Sequence, residues 1–146
     1  MRDDFCVFIL THGRPDNVVT YDTLTRSGYT GKVYIVIDDE DKTADRYRER
    51  FGDKVLQRAI VYARNVCFAL AEQVGCTYFM ECDDDYTGFE FTVDSRLEWA
   101  YMRLTVTLDD VLSSLVDFFV GAPTLRTVAI AQGGDFIGGA ANVDTV

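Results

Sequence analysis

Three apolar runs of strand length, FCVFIL (5–10), KVYIVI (32–37) and TYFMEC (77–82), each give way to polar or acidic residues, and they constrain the fold more than any other feature of the chain. A strand covered on one face alternates apolar and polar side chains, whereas a strand covered on both faces is apolar throughout. These runs therefore belong inside a parallel sheet, and parallel neighbours need crossover connections. The segments between them supply helices. NVVTYDTLTRSGY (17–29) carries Val18, Tyr21 and Leu24 at helical spacing, with Asp16 placed as a cap and Gly28 as a stop. DKTADRYRERFG (41–52) puts Ala44, Tyr47 and Phe51 on one face ahead of Gly52, and RAIVYARNVCFALAEQVG (58–75) predicts a long helix ending at Gly75. This order predicts an α/β fold, a mostly parallel sheet flanked by helices.

The second half is less regular. GFEFTV (88–93) and YMRLTV (101–106) alternate polar and apolar residues and predict exposed or edge strands. LDDVLSSLVDFFVG (108–121) aligns Leu108, Val111, Leu112, Leu115, Val116 and Phe119 along one helical stripe, and TVAIAQGGDFIGGA (127–140) predicts a closing strand and a glycine-rich loop. Between Gly52 and Arg58 lies only DKVLQ, too little for a strand with both of its loops, so a mobile segment is expected to be missing near residues 55–57. The natural protein is also expected to continue past residue 146.

Composition limits the functional classes. With 146 residues, 48% of them hydrophobic and 13% aromatic, the chain can bury one sizeable core, and a single domain over 1–146 is expected. A formal net charge of -10 weighs against a broad grip on nucleic acid or an anionic membrane. MRDDFCVFIL has acids where a signal peptide has a basic region, and no stretch is long enough to span a bilayer. Cys6, Cys67, Cys76 and Cys82 show no metal-ligand spacing and read as reduced core residues of a cytoplasmic protein.

The chemistry concentrates in YFMECDDDYTG (78–88), where an apolar run meets Asp83, Asp84 and Asp85. Adjacent carboxylates repel and are costly to desolvate unless something positive compensates. In extended backbone Asp83 and Asp85 point to one side and Asp84 to the other. A pair of acids at the carboxyl end of a strand suits Mg²⁺ or Mn²⁺, which take one or two carboxylates plus substrate phosphates. Asp38 and Asp39 end the second strand at the same edge, and the first strand delivers Thr11, His12 and Arg14 there. Arg58 and Arg64 offer guanidinium groups to a diphosphate. The aromatic residues Tyr86, Phe89, Phe91, Trp99 and Tyr101 are either sheet packing or a stacking surface.

FILTHGRPD, YIVIDDEDKT, ARN and CDDD follow, in order, the pattern of nucleotide-sugar glycosyltransferases of the GT-A fold, a Rossmann-like architecture. More narrowly, RAIVYARNVCFALAEQVGCTYFMECDDDYTGF resembles the TET-associated glycosyltransferases, a phage and bacterial family that adds sugar to oxidised pyrimidines in DNA. The resemblance implies a nucleotide-sugar-binding part over about 1–90 and an acceptor-side part over about 91–146. It implies base and ribose contacts from Thr11, Arg14, Asp38 and Asp39, and a diphosphate near Arg64. Asp83 and Asp84 count among the donor-binding acids, and Asp83 and Asp85 form a DxD motif on Mn²⁺ or Mg²⁺. Asp135 is the candidate for the catalytic base. A carboxylate at Asp38 or Asp39 can accept from a uracil ring N–H, which favours a UDP-sugar donor. The implied acceptor is a hydroxymethylated pyrimidine in DNA, such as hydroxymethylcytosine, taken out of the base stack in a bacterial or phage-infected cell.

Other readings use the same letters. Asp83, Asp85 and Thr87 match the DxDxT nucleophile motif of haloacid-dehalogenase-like phosphatases, but those enzymes need a downstream lysine and none follows Lys54. A nucleotidyltransferase would need a glycine-rich loop with a basic residue after the first strand, and THGRPD holds one glycine. A nucleotide-sugar binding module without catalysis is the non-enzyme alternative. The sugar, the anomeric outcome and the oligomeric state are not written in the sequence.

Overall fold

The computed structural model describes residues 1–59, 63–94, 99–103 and 106–130. In chain order the elements are β1 (Phe5–Leu10), α1 (Val19–Arg26), β2 (Lys32–Ile37), α2 (Ala44–Phe51), β3 (Val55–Gln57), α3 (Ala63–Gln73), β4 (Tyr78–Asp83), β5 (Glu90–Asp94), β6 (Trp99–Arg103) and α4 (Leu108–Gly121). β1 to β4 form one sheet in the order β3-β2-β1-β4, and every pair in it is parallel. The result is a small Rossmann-like α/β fold, as the apolar runs predict. β5 and β6 make a separate antiparallel pair, with Glu90 opposite Arg103.

The continuous apolar runs follow from a sheet covered on both sides. Phe5, Val7 and Ile9 of β1 join a core with Leu24 of α1, Tyr47 and Phe51 of α2, and Leu108, Leu112 and Val116 of α4. The residues between them, Cys6 and Phe8, join a second core with Cys67, Leu70 and Ala71 of α3. Val7, Phe8 and Ile9 are all 0% exposed, and burying each such side chain is worth roughly 1.5–3 kcal/mol before entropy is charged against it. All four cysteines are free and buried, as expected. Burial pushes the thiols of Cys67 and Cys82 up to about 12, with the nearby Glu81 adding to the shift at Cys67 and Asp83 and Glu81 at Cys82.

Several details correct the sequence-based picture. The DKVLQ joint does hold a strand: a single 3₁₀ turn over Gly52–Lys54 leads directly into β3, which pairs with the end of β2 through Ile37 and Gln57. Nothing is missing from the ladder at residues 55–57. Arg58 extends that pairing instead of opening a helix, since its N–H donates to Ile37 O at 3.0 Å and its carbonyl accepts from Asp39 N at 3.1 Å. The N-cap position of α1 is Val18, with no side-chain bond, and Asp16 pairs with Arg46 instead. Residues 127–130 form no strand, and the rest of the expected closing element lies outside the described residues.

α4 is well specified locally. Thr107 and Asp110 form a reciprocal capping box, and Leu108 N donates to Ser27 O at 2.7 Å. Gly28, at φ +80°, lets the end of α1 pass close to this cap, where an added Cβ would stand 3.1 Å from Thr107 Cβ. Among the described residues no helix is long and apolar enough to cross a membrane.

Candidate active site

The strand order reverses at β1: the chain winds outward from β1 through β2 to β3, then returns to lay β4 on the other side. At such a switch point the loops leaving two adjacent strands diverge and open a crevice at their carboxyl ends. Leu10 is in register with Asp83, so the loop Thr11–Arg14 and the acidic turn after β4 begin side by side. Thr11 N still donates to Val36 O at 3.1 Å, which keeps the start of the loop level with the end of β2.

The centre of the turn is Asp84, which is 2% exposed. Thr11 Oγ1 donates to its Oδ2 at 2.5 Å, and Arg14 Nη2 lies 3.0 Å from its Oδ1. The buried charge is thus matched by a guanidinium and a hydroxyl. Thr20, in the first turn of α1, fixes the backbone around it. Its N–H donates to Asp84 O at 3.1 Å, its Oγ1 donates to Asp83 O at 2.6 Å, and that same oxygen accepts from Tyr86 N at 2.8 Å.

Asp84 and Asp85 lie in a turn, so alternation in extended backbone does not describe their directions. Asp83 ends β4 half-exposed, and Asp85 is exposed. Arg64, at the start of α3, reaches Asp83 Oδ1 at 3.3 Å and Glu81 Oε2 at 3.6 Å. Burial raises the Glu81 carboxyl above its ordinary range, with Asp83 adding to the rise and Cys67 and Arg64 opposing it. Arg64 is 66% exposed and Arg14 54%. The Arg64–Asp83 pair is exposed enough to contribute only about 0–1 kcal/mol, so Arg64 can be drawn to an incoming anion at little cost. Arg14, by contrast, must keep its contact with buried Asp84 and offers an anion only its remaining N–H groups.

The other candidate residues are less closely gathered. Asp38 Oδ1 accepts from Glu40 N at 2.9 Å at the end of β2, one strand from Thr11, and Asp39 is exposed beside it. Arg58 directs its guanidinium to Gln57 O at 2.8 Å and Gln73 Oε1 at 2.7 Å, and the structure does not bring it to the acidic turn. Tyr86 and Phe89 meet edge to face with centroids 6.5 Å apart and pack on the core. The side chains of Phe91, Trp99 and Tyr101, and the whole of Asp135, lie outside the described residues.

Among the described residues no three His, Cys, Asp or Glu side chains converge as a metal cage. Asp83 and Asp85 still offer hard oxygen donors of the right type for Mg²⁺ or Mn²⁺ completed by substrate phosphates and water. Three polar residues of the site escaped sequence reasoning: Thr20, Asp41 and Tyr47. Tyr47 reads from its spacing as a core residue and is fully buried, yet its hydroxyl stands 3.0 Å from Thr11 Oγ1 and accepts from Arg14 N at 2.9 Å. The only signal was the phenol itself, which needs a partner when buried.

A family profile described as TET-Associated Glycosyltransferase matches residues 5–145. No curated protein and no solved structure gives a match. The profile spans nearly the whole chain, and the chain belongs to that glycosyltransferase family.

Proposed function

We propose that this member of the family transfers a sugar from a UDP-sugar, with Mn²⁺ or Mg²⁺, to the hydroxyl of a hydroxymethylated pyrimidine in DNA. The observation that carries the donor half is the meeting of Thr11, Arg14, Asp83, Asp84 and Arg64 at the β1/β4 switch point. A nucleoside diphosphate needs cations for its phosphates and acids for its cation or ribose, and the ends of β1 and β4 offer both, in the Thr11–Arg14–Asp84 contacts and in the Arg64–Asp83 contact. Arg14 and Arg64 are the proposed diphosphate ligands, and Arg58, bonded to Gln57 and Gln73 at the end of β3, joins them only by leaving those partners. Asp38 and Asp39 take the base and ribose, with a carboxylate accepting from the uracil ring N–H, and Thr11, buried with its hydroxyl shared between Asp84 and Tyr47, supports that side of the site from beneath. Asp84 has both oxygens engaged, so it serves the donor through Thr11 and Arg14.

A divalent ion held by Asp83 and Asp85 would supply charge neutralisation for the departing diphosphate. In the reaction the acceptor oxygen bonds to the anomeric carbon as the bond to the diphosphate oxygen breaks. A base takes the acceptor's proton, and Asp135 is the proposed base. The arginines stabilise negative charge as it builds on UDP.

The DNA acceptor draws its support from family membership, while the net charge of -10 opposes a broad duplex grip. A base turned out of the stack needs only a narrow contact, which eases that conflict. Burial of four free cysteines agrees with a cytoplasmic site of action. The test is incubation with UDP-sugars, Mn²⁺ and either hydroxymethylcytosine DNA or unmodified DNA, followed by digestion and mass analysis of the nucleosides. A hexose-sized gain confined to the modified substrate is expected. Transfer to protein, lipid or free sugar instead removes the DNA acceptor and leaves the transferase. Equal binding of UDP, GDP and ADP removes the uracil contact.

A further inference from the structure

A buried acid outside the acidic turn holds the loop that carries Arg14. Asp41, between β2 and α2, is 6% exposed. Its Oδ2 accepts from Gly13 N at 2.8 Å and lies 3.5 Å from His12 Nδ1. Its Oδ1 accepts from Thr43 N at 2.7 Å and from Thr43 Oγ1 at 2.6 Å. From the first turn of α2, Tyr47 accepts the next backbone N–H, that of Arg14. A hydroxyl has one proton, and the Thr11 proton goes to Asp84, so Tyr47 must donate to Thr11. A directed chain results: Arg14 N–H to Tyr47, Tyr47 to Thr11, Thr11 to the Asp84 carboxylate.

The loop thus hangs from side chains of one neighbouring segment. Gly13 has φ +66° and an added Cβ would meet nothing within 4 Å, so glycine is there for its conformation and not for space. That conformation turns the successive N–H groups of Gly13 and Arg14 toward Asp41 and Tyr47. It also leaves the Arg14 guanidinium half in solvent beside Asp84.

We propose that Asp41 and Tyr47 are positioning residues of the donor site, which fix the Thr11–Arg14 loop so that Arg14 is aimed at the diphosphate. This role rests on the donor reading above. Neither residue needs to touch the donor. Their loss acts through Arg14, and the signature is a change in donor affinity that disappears when Arg14 is already gone.

The experiment measures UDP affinity with Mn²⁺ by calorimetry, and donor KM and kcat, for the full chain and for Tyr47→Phe, Asp41→Asn, Arg14→Ala and Tyr47→Phe/Arg14→Ala. Phe51→Leu, a purely apolar truncation on α2, serves as the control for lost stability. Tyr47→Phe is expected to weaken UDP by roughly tenfold, the scale of a lost oriented hydrogen bond, and to raise donor KM with kcat nearly unchanged. Phe51→Leu should leave UDP affinity within about twofold. In the Arg14→Ala background Tyr47→Phe should add almost nothing. Unchanged UDP affinity in folded Tyr47→Phe overturns the proposal, and so does a full additive loss in the double variant. If the unaltered protein binds no UDP at all, the donor reading itself falls and takes this role with it. Faster amide exchange at Gly13 and Arg14 in folded Tyr47→Phe and Asp41→Asn is the expected direct sign of a released loop.

Discussion

Thr11 Oγ1 lies 2.5 Å from Asp84 Oδ2, a contact between the first loop of the chain and a residue 73 positions later. It joins the two segments that the strand order brings to the switch point. The hydroxyl donates to a buried carboxylate while accepting from Tyr47, so it is satisfied on both sides.

Thr11→Val keeps the shape and removes that link. It leaves one Asp84 oxygen and the Tyr47 proton without their partner inside the protein. The expected loss is about 1–3 kcal/mol of unfolding free energy, the usual penalty for stranding buried polar groups. Urea denaturation checks it, and a change below about 0.5 kcal/mol would mean that water replaces the hydroxyl.

Asp85→Asn tests the proposed metal ligand. Asp85 is exposed and sits outside the Thr11–Asp84–Arg14 contacts, so the variant should fold with nearly unchanged stability in the absence of metal. The extra thermal stabilisation that Mn²⁺ gives the UDP complex should largely vanish. A full metal-dependent shift in the variant would remove Asp85 from the site.

Arg64→Ala should weaken UDP much more than uridine, because its guanidinium faces Asp83 and Glu81 at the rim and has no tie to β2, where the base is proposed to lie. A loss of roughly tenfold for UDP with little change for uridine is the expected pattern. Equal losses for both ligands would take Arg64 off the diphosphate. Arg58→Ala run in parallel asks whether that side chain leaves Gln57 and Gln73 for the donor, since it starts bonded to them.

The sheet was legible in the sequence because β1 is buried on both faces and apolar from end to end, and β2 and β4 carry long apolar runs beside it. The helix faces at Val18 and Leu24, at Ala44, Tyr47 and Phe51, and at Leu108, Leu112 and Val116 follow from spacing alone. β3 was not legible. It contributes only Val55–Gln57, and a short edge strand reached by one 3₁₀ turn leaves no periodic signal. In the site, the acids after β4 announced themselves, but their division of labour did not. Which of Asp83, Asp84 and Asp85 is buried depends on where the backbone leaves the strand, and that is set by Thr20 and by Thr11, both distant in sequence. Asp41 was hidden for the same reason: its partners Gly13 and His12 come from another loop.

Asp41 also sets a pH dependence. Burial alone would raise its carboxyl, but the hydrogen bonds from the Thr43 side chain and from the Gly13 and Thr43 N–H groups, with His12 nearby, hold it below the ordinary aspartate range. A carboxyl whose folded pKa lies below its unfolded one stabilises the fold above the unfolded value, near about 3.9. That contribution fades as pH falls through the folded value. Asp41→Asn cannot ionise and loses it at every pH. The melting temperature of the unaltered protein should therefore exceed that of Asp41→Asn at neutral pH, and the gap should narrow only below about pH 4. Melting curves of both proteins from pH 7 down to about pH 3 make the comparison. A gap that stays constant over that range would mean that the charge of Asp41 contributes nothing. The asparagine would then be losing only the geometry of the Gly13 and Thr43 contacts.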